Sequence, residues 1–309
     1  MTLNAFLQLI RWKNLFMLAC IQLLFRYVYF PTFSIATTLS NIDFILLIIA
    51  TLTIAAAGYI SNDIYDVEAD KINKPSKVIV TQKISVKQAN FYYLVLNALG
   101  ILAGFYLAFK IHNISYVSIF IITALILKAY NSDLKKKPLI GNLLVSLLVS
   151  LSILIVGVFD IIPSITEDNA INQYHAFRVL LDYAAFAFMF MLLREIVKDI
   201  EDVDGDKIMK MNTLPILIGR KKTIGVVFVL SFIPLILITF YSFNNFSNVP
   251  FILAYMLIVV LLPLLYFMTK ILYAKTKKEY RIASRLLKYI MLLGMLSILL
   301  ISITIQNAI

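Results

Sequence analysis

Nine apolar stretches, each long enough to cross about 30 Å of hydrocarbon, run through this 309-residue chain. They fall at roughly 14–31, 42–61, 90–109, 114–130, 139–159, 177–196, 223–243, 250–272 and 288–307, the sixth weakened by Asp182 and its closing charges. A backbone immersed in lipid must satisfy its own hydrogen bonds, so such stretches fold as helices or close into a barrel. The short alternating strands of a barrel do not occur in the sequence. The pattern therefore predicts an all-α, polytopic membrane protein of about nine transmembrane helices. A composition of 61% hydrophobic and 15% charged residues sits far from that of a soluble domain.

The charges between the stretches give an orientation. Basic residues fill the N-terminus (Arg11, Lys13) and the loops after the second, fourth, sixth and eighth spans, including Lys71, Lys135, Lys222 and Arg285. The opposite loops, around 32–41, 110–113, 160–176 and 244–249, carry almost none. By the positive-inside rule the N-terminus is cytoplasmic and the C-terminus lies outside, which an odd number of spans requires. The same bias accounts for most of the net charge of +11, so no nucleic-acid partner is expected. The first stretch lacks a small-residue cleavage site and reads as a retained helix. Cys20 is the only cysteine, which excludes an intrachain disulfide and a cysteine-based metal site. His112 and His175 read as solvated loop residues. Arg26, an unusual charge within the first span, reads as a snorkelling side chain or a contact for an acidic acceptor group.

Against this apolar background, more than half of the seventeen acidic residues lie in two short runs, Asn62–Asp70 and Asp199–Asp206. Each follows directly on an apolar stretch, so both stand at the cytoplasmic membrane boundary. Carboxylates there are costly unless something pairs with them, which marks a functional site. Asn62, Asp66 and Asp70 recur every four residues, a spacing that stacks side chains on one helix face. Three oxygen donors on one face suit Mg²⁺, which is typically shared with substrate phosphates. Asp202 and Asp206 repeat the spacing, and extending it backwards gives a stripe of Arg194, Lys198, Asp202 and Asp206. Carboxylates beside cations are what a complex of metal and diphosphate needs. Lys135 can add a phosphate contact. Asp63, Glu68, Glu201 and Asp204 fall off the stripes and read as surface charges, whereas Asp199 and Glu195 flank the stripe. The two runs lie four spans apart, a weak parallel repeat.

These residues resemble a known family. Asn62-Asp63-x-x-Asp66-x-x-x-Asp70 with Lys71-Ile72-Asn73-Lys74-Pro75 is similar to the first signature of the UbiA superfamily of intramembrane prenyltransferases. Asp202-x-x-x-Asp206 followed by Thr213-Leu214-Pro215 and Gly219 is similar to its second. Tyr130-Asn131-Ser132-Asp133-Leu134-Lys135 with Gly141-Asn142 resembles its middle segment. The resemblance implies one membrane-embedded domain over 1–309, helices bundled around a central cavity, and prenyl transfer from an isoprenyl diphosphate to a lipophilic acceptor. It further implies Mg²⁺ held through Asn62, Asp66, Asp70, Asp202 and Asp206, with the four aspartates catalytic. Lys135, Arg194 and Lys198 would meet the diphosphate, and so would Lys77. The run Lys77-Val78-Ile79-Val80-Thr81-Gln82 departs from the pattern, lacking the turn-forming prolines and glycine found in many members.

The stripe from Arg194 to Asp206 looks most like members that alkylate a glycerol-phosphate ether lipid with a geranylgeranyl group. Prenylation of an aromatic acceptor of quinone, tocopherol or chlorophyll type is the neighbouring alternative. A cation-coupled transporter is the alternative from another class, weakened because the carboxylates gather at one edge and not at the midplane. An inactive scaffold is a third. The expected setting is the cell (inner) membrane, with the active-site loops cytoplasmic.

Overall fold

The computed structural model describes residues 2–306, the side chain of Lys77 excepted. Among the described residues nine helices are long and apolar enough to span a membrane. With a short N-terminal helix α1 (Leu3–Leu9) ahead of them, the elements are α2 (Trp12–Thr32), α3 (Asn41–Tyr65), α4 (Val67–Asn73), α5 (Val86–Lys110), α6 (Ile114–Ser132), α7 (Ile140–Ser164), α8 (Ala170–Ile208), α9 (Leu214–Ile218), α10 (Arg220–Phe246), α11 (Pro250–Tyr273) and α12 (Lys277–Gln306). The protein is an integral membrane protein, and outward faces such as Leu94, Leu102 and Phe109 of α5 carry the apolar surface that lipid covers.

Local signals set several helix starts. Ser40 caps α3 through its hydroxyl, and Ser85 with Gln88 forms a reciprocal capping box on α5. The expected bounds fail mainly at charged ends. The sixth span continues without a break to Ile208, so the second acidic run lies on the same helix as the apolar stretch. At about 1.5 Å per residue α8 is nearly twice as long as the hydrocarbon is thick. Likewise Lys277, Arg281 and Arg285 belong to the first turns of α12 and not to a loop. His175 is exposed but helical, near the start of α8. Position 307, the last of the expected ninth span, lies outside the described residues.

Two apolar clusters hold the bundle. One, around Phe25, Phe44, Phe120 and Phe159, joins α2, α3, α6 and α7; the other, around Ile196, Leu264, Phe267 and Leu287, joins α8, α11 and α12. A third cluster packs Ala5 and Leu9 of α1 on Ile60, Val80, Ile84 and Ala89, so α1 and the loop after α4 cap the site end of α3 and α5. That loop is the segment lacking the usual prolines and glycine. It is anchored instead by buried Val78, Ile79 and Val80, and Thr81 takes the left-handed conformation at φ 77°.

Arg26 neither snorkels nor faces an acceptor. Its guanidinium lies 2.8 Å from the fully buried Asp160 and donates to the carbonyl of Leu39 at 2.9 Å. Asp160 belongs to α7, not to a loop, and accepts from the backbone N–H of Leu39. Both charged residues sit in π-helical turns, Phe25–Tyr29 and Gly157–Ile161. The pair pins the connection between α2 and α3 far along the sequence from the acidic runs.

Candidate active site

Both acidic runs open into one cavity of about 860 Å³, bounded by α1, α2, α3, α4, α6, α7, α8 and α12. Asn62, Asp66, Asp70, Lys135, Arg194, Lys198, Asp202 and Asp206 all line it. Lys77 lies outside the described side chains. The chain therefore gathers every other expected site residue into one space.

The first run is not one unbroken helix. α3 stops at Tyr65, Asp66 relaxes to φ −98° and ψ 7°, and α4 begins at Val67. The four-residue hydrogen bonds nevertheless cross the break: Asp66 N–H donates to Asn62 O at 2.9 Å and Asp70 N–H to Asp66 O at 2.8 Å. The stripe of three oxygen donors thus survives the kink. The side-chain amide of Asn62 donates to Asp66 Oδ2 at 2.8 Å and to Asn131 Oδ1 at 3.2 Å. Asn131 is buried and donates in turn to the carbonyl of Gly58, fixing the orientation of Asn62 from α6.

Cations neutralise much of this acidity. Lys135, only 8% exposed, forms a short ion pair with Asp66. Lys74 reaches across to Asp202 at 2.6 Å, joining the two runs directly. Burial pulls the Lys74 ammonium down, but Asp202, its hydrogen bond and the nearby Glu201 and Asp70 more than offset this and raise it. Asp70 has no ion pair among the described residues. Burial, with the negative charges of Asp66 and Asp63 added, pushes its carboxyl up to about 6 despite the opposing Lys74. On α8 both Arg194 and Lys198 turn to Glu195, at 2.9 and 2.8 Å. Asn142 donates to Asp199 Oδ2 at 2.8 Å.

Two residues expected at the surface are not there. Asp63 lines the cavity and pairs with Arg11 at 2.9 Å, and Glu201, 4% exposed, pairs with Arg281 at 2.9 Å. Asp63 and Glu201 are covered by Arg11 at the start of α2 and by Arg281 of α12, which the helix period of their own segments does not report. Glu68 and Asp204 are exposed, as expected, with Lys71 and Arg220 as partners.

In sequence Arg11 stands out only as a topology charge. In the structure it holds a left-handed backbone at φ 51° and donates to both Asn62 Oδ1 (2.7 Å) and Asp63 Oδ1 (2.9 Å). Strained non-glycine residues of this kind persist where surroundings over-determine them, often at active sites. Asn73 belongs to the first motif, but its spacing alone gives it no role. Its amide donates to the carbonyl of Asp202 at 2.9 Å, and its oxygen accepts from Gly205 N–H and Lys277, each at 3.1 Å. It clamps α4 to α8 and α12.

Among the described residues no three acidic or histidine side chains converge into a ready-made cage for a metal ion. The donor set is nonetheless all oxygen, and Asp202 Oδ1 is buried without a hydrogen-bond partner among the described residues. Beyond the charged end the cavity wall turns apolar, with Leu18, Ile54, Phe120, Leu127 and Val149. Leu18, Val149 and Ser152 also line a second chamber of about 100 Å³, walled by Tyr183, Phe186, Phe190 and Tyr241. Aromatic side chains thus gather in this inner chamber.

Residues 26–301 match the UbiA prenyltransferase family. A digeranylgeranylglyceryl phosphate synthase of Methanosphaera stadtmanae is 33% identical over 227 residues, covering 73% of this chain and 75% of that relative. A solved structure described as digeranylgeranylglyceryl phosphate synthase in membranes shares 26% identity and a TM-score of 0.63, over 98% of this chain and 99% of its own. A UbiA homolog from Archaeoglobus fulgidus, solved with DMAPP and Mg²⁺, shares the fold at a TM-score of 0.56 and 17% identity, over 93% of this chain and 98% of its own.

Proposed function

The chain belongs to the UbiA prenyltransferase family, and from that premise we propose that it transfers a geranylgeranyl group from its diphosphate to the free hydroxyl of geranylgeranylglyceryl phosphate, using Mg²⁺. The observation that carries this reading is the meeting of the two acidic runs in one cavity through Lys74 and Asp202, with Lys135 on Asp66 beside them. Residues 1–309 act as one membrane-embedded unit, with the N-terminus and the charged end of the cavity on the cytoplasmic side of the cell membrane.

The donor set fits the ion. Asn62, Asp66, Asp70, Asp202 and Asp206 would hold it, and the unpartnered Asp202 Oδ1 is an oxygen ready to ligate. A site without a complete protein cage suits Mg²⁺, which keeps waters and binds through a few carboxylates plus phosphate oxygens. When bound, the ion supplies Lewis-acid neutralisation of the diphosphate.

The chain's own residues do the rest. Lys135, Lys74, Arg194 and Lys198 can exchange carboxylate partners for phosphate oxygens, and Lys77, although its run departs from the family pattern, is assigned to the same set. Their charge lowers the cost of breaking the allylic C–O bond, with both electrons leaving on the diphosphate. The apolar wall beyond Leu18 and Phe120 accepts the prenyl tail and keeps water from the carbocation. The acceptor oxygen then bonds to C1 and its proton departs, the phosphate oxygens being bases close to the reacting carbon.

Support for the glycerol-phosphate acceptor comes from the names of the relatives and from the Arg194–Asp206 stripe. The test is transfer by purified protein from labelled geranylgeranyl diphosphate to geranylgeranylglyceryl phosphate, a hydroxybenzoate or homogentisate, with and without chelator. Chelator-sensitive transfer to the glycerol phosphate is expected, lost in Asp66→Asn and Asp202→Asn. Transfer to an aromatic acceptor alone would replace the acceptor, and absence of both transfer and diphosphate release from folded protein would overturn the reading.

A further inference from the structure

The cavity's cations are not all spent on carboxylates. Arg285 and Lys288, on one face of α12, line it without an ion pair among the described residues. Lys288 donates to Asn14 Oδ1 at 2.5 Å, a neutral partner on α2, and feels the positive charges of Lys13 and Arg194. Lys13 lines the same wall and has no acidic partner among the described residues. The fourth such cation, Lys83, stands apart and reaches Gln8. Lys13 and Lys288 thus lie together where α2 meets α12, with Arg285 three residues before Lys288 on the same cavity wall, and the Nε of Arg194 is buried with no acceptor among the described residues. Lys13 and Arg285 are exposed and Lys288 is half-buried, and like charges beside one another repel, a repulsion that a bound anion relieves.

We propose that Lys13, Arg285 and Lys288 form a second anion subsite, separate from the diphosphate subsite at Lys74 and Lys135, which seats the phosphomonoester of the lipid acceptor. The subsite rests on the glycerol-phosphate reading above. A phosphomonoester carries close to two negative charges near neutral pH and three acceptor oxygens, a match for two or three unpaired cations. The location also suits the chemistry. Lys74 and Lys135 follow α4 and α6, whereas Arg285 and Lys288 belong to α12 and line the same cavity, so an acceptor anchored on α12 shares the space with the donor while leaving Lys74 and Lys135 to the diphosphate. Arg285 and Lys288 are positioning residues in this scheme.

Two measurements test it. In mixed micelles, Arg285→Gln, Lys288→Gln and the double variant should raise the KM for geranylgeranylglyceryl phosphate by roughly tenfold or more per cation, leaving the KM for the donor diphosphate within about twofold; Lys288→Arg should restore the wild-type value. Independently of turnover, purified wild type should retain labelled geranylgeranylglyceryl phosphate better than its phosphate-free alcohol, and the double variant should lose that preference. An unchanged acceptor KM, or a rise in the donor KM instead, overturns the subsite. Arg285 is exposed, so Arg285→Gln alone decides between these outcomes if Lys288→Gln fails to fold. If wild type transfers only to a phosphate-free acceptor, the functional reading has failed. Retention then judges the subsite separately: equal binding of phosphorylated and phosphate-free lipid overturns it, and preference lost in the variant supports a site for lipid phosphate.

Discussion

A Cβ built on Gly205 would stand 2.3 Å from Asn73 Nδ2 and 2.9 Å from the carbonyl of Ala69, so α4 and α8 touch backbone to backbone where the two acidic runs meet. Asn73 fills the contact with hydrogen bonds to Asp202 O and from Gly205 N–H. Gly205→Ala must push α4 away, at a cost of about 1–3 kcal/mol for overpacking. The expected result is a lower melting temperature in detergent and loss of most activity. Asn73→Ala, which leaves the space but removes the clamp, should keep more stability and still lose transfer.

On the proposed function Lys135 acts on charge, and Gly141 gives it its place, since a side chain at Gly141 would meet the Lys135 backbone at 2.8 Å. Lys135→Gln should fold and reduce kcat by roughly 10²-fold, the scale expected for removing one stabiliser of developing charge. Single-turnover rates of diphosphate release check it. Lys135→Arg, bulkier and forked, should recover only part of the rate.

Asp70 sets a pH dependence. Its carboxyl is raised to about 6 in the folded protein, above the usual value near 4. Because the folded state binds that proton more tightly than the unfolded chain, keeping Asp70 ionised weakens the fold above about pH 6, and protonation relieves this as pH falls. In chelator, the melting temperature contribution of Asp70 should therefore rise from pH 7.5 to pH 5.5, and Asp70→Asn should abolish that part of the slope. On the proposed function a divalent ion would compete for the same oxygen, so the Mg²⁺ concentration giving half-maximal activity should increase below about pH 6.

Arg26 and Asp160 make a structural prediction without a catalytic one. Asp160→Asn or Arg26→Met alone strands a buried charge and should cost about 3–5 kcal/mol. Replacing both should restore much of the loss. Activity per folded molecule should stay near wild type in the double variant, as a thermal-melt and activity comparison will show.

The four-residue stripes are legible in the sequence because helical period is local: Asn62, Asp66 and Asp70 stay aligned even across the kink at Asp66. What a segment does not report is its distant partners. Asp63 and Glu201 look solvent-facing in their own helices and are covered by Arg11 and Arg281, both contributed by chain ends. Arg26 looks isolated in sequence because Asp160 falls where the apolar pattern places a loop. The charged turns of α8 and α12 resemble boundaries, although helices readily continue past the membrane surface. The cavity wall is illegible for the same reason as the partners: its apolar residues come from many helices and resemble any other packing residue.

The lysine pairs at Asp66 and Asp202 give the site the character of two internal salts. On the proposed function, loading it would be a salt metathesis: the divalent cation would take the carboxylates while the lysines take the diphosphate. Either ligand alone would break a pair and leave one half unmatched. Arriving together, they would exchange partners with far less charge left unmatched. On the proposed function, such a site would discriminate by ion composition before shape, responding to the complex of cation and diphosphate over either ion alone.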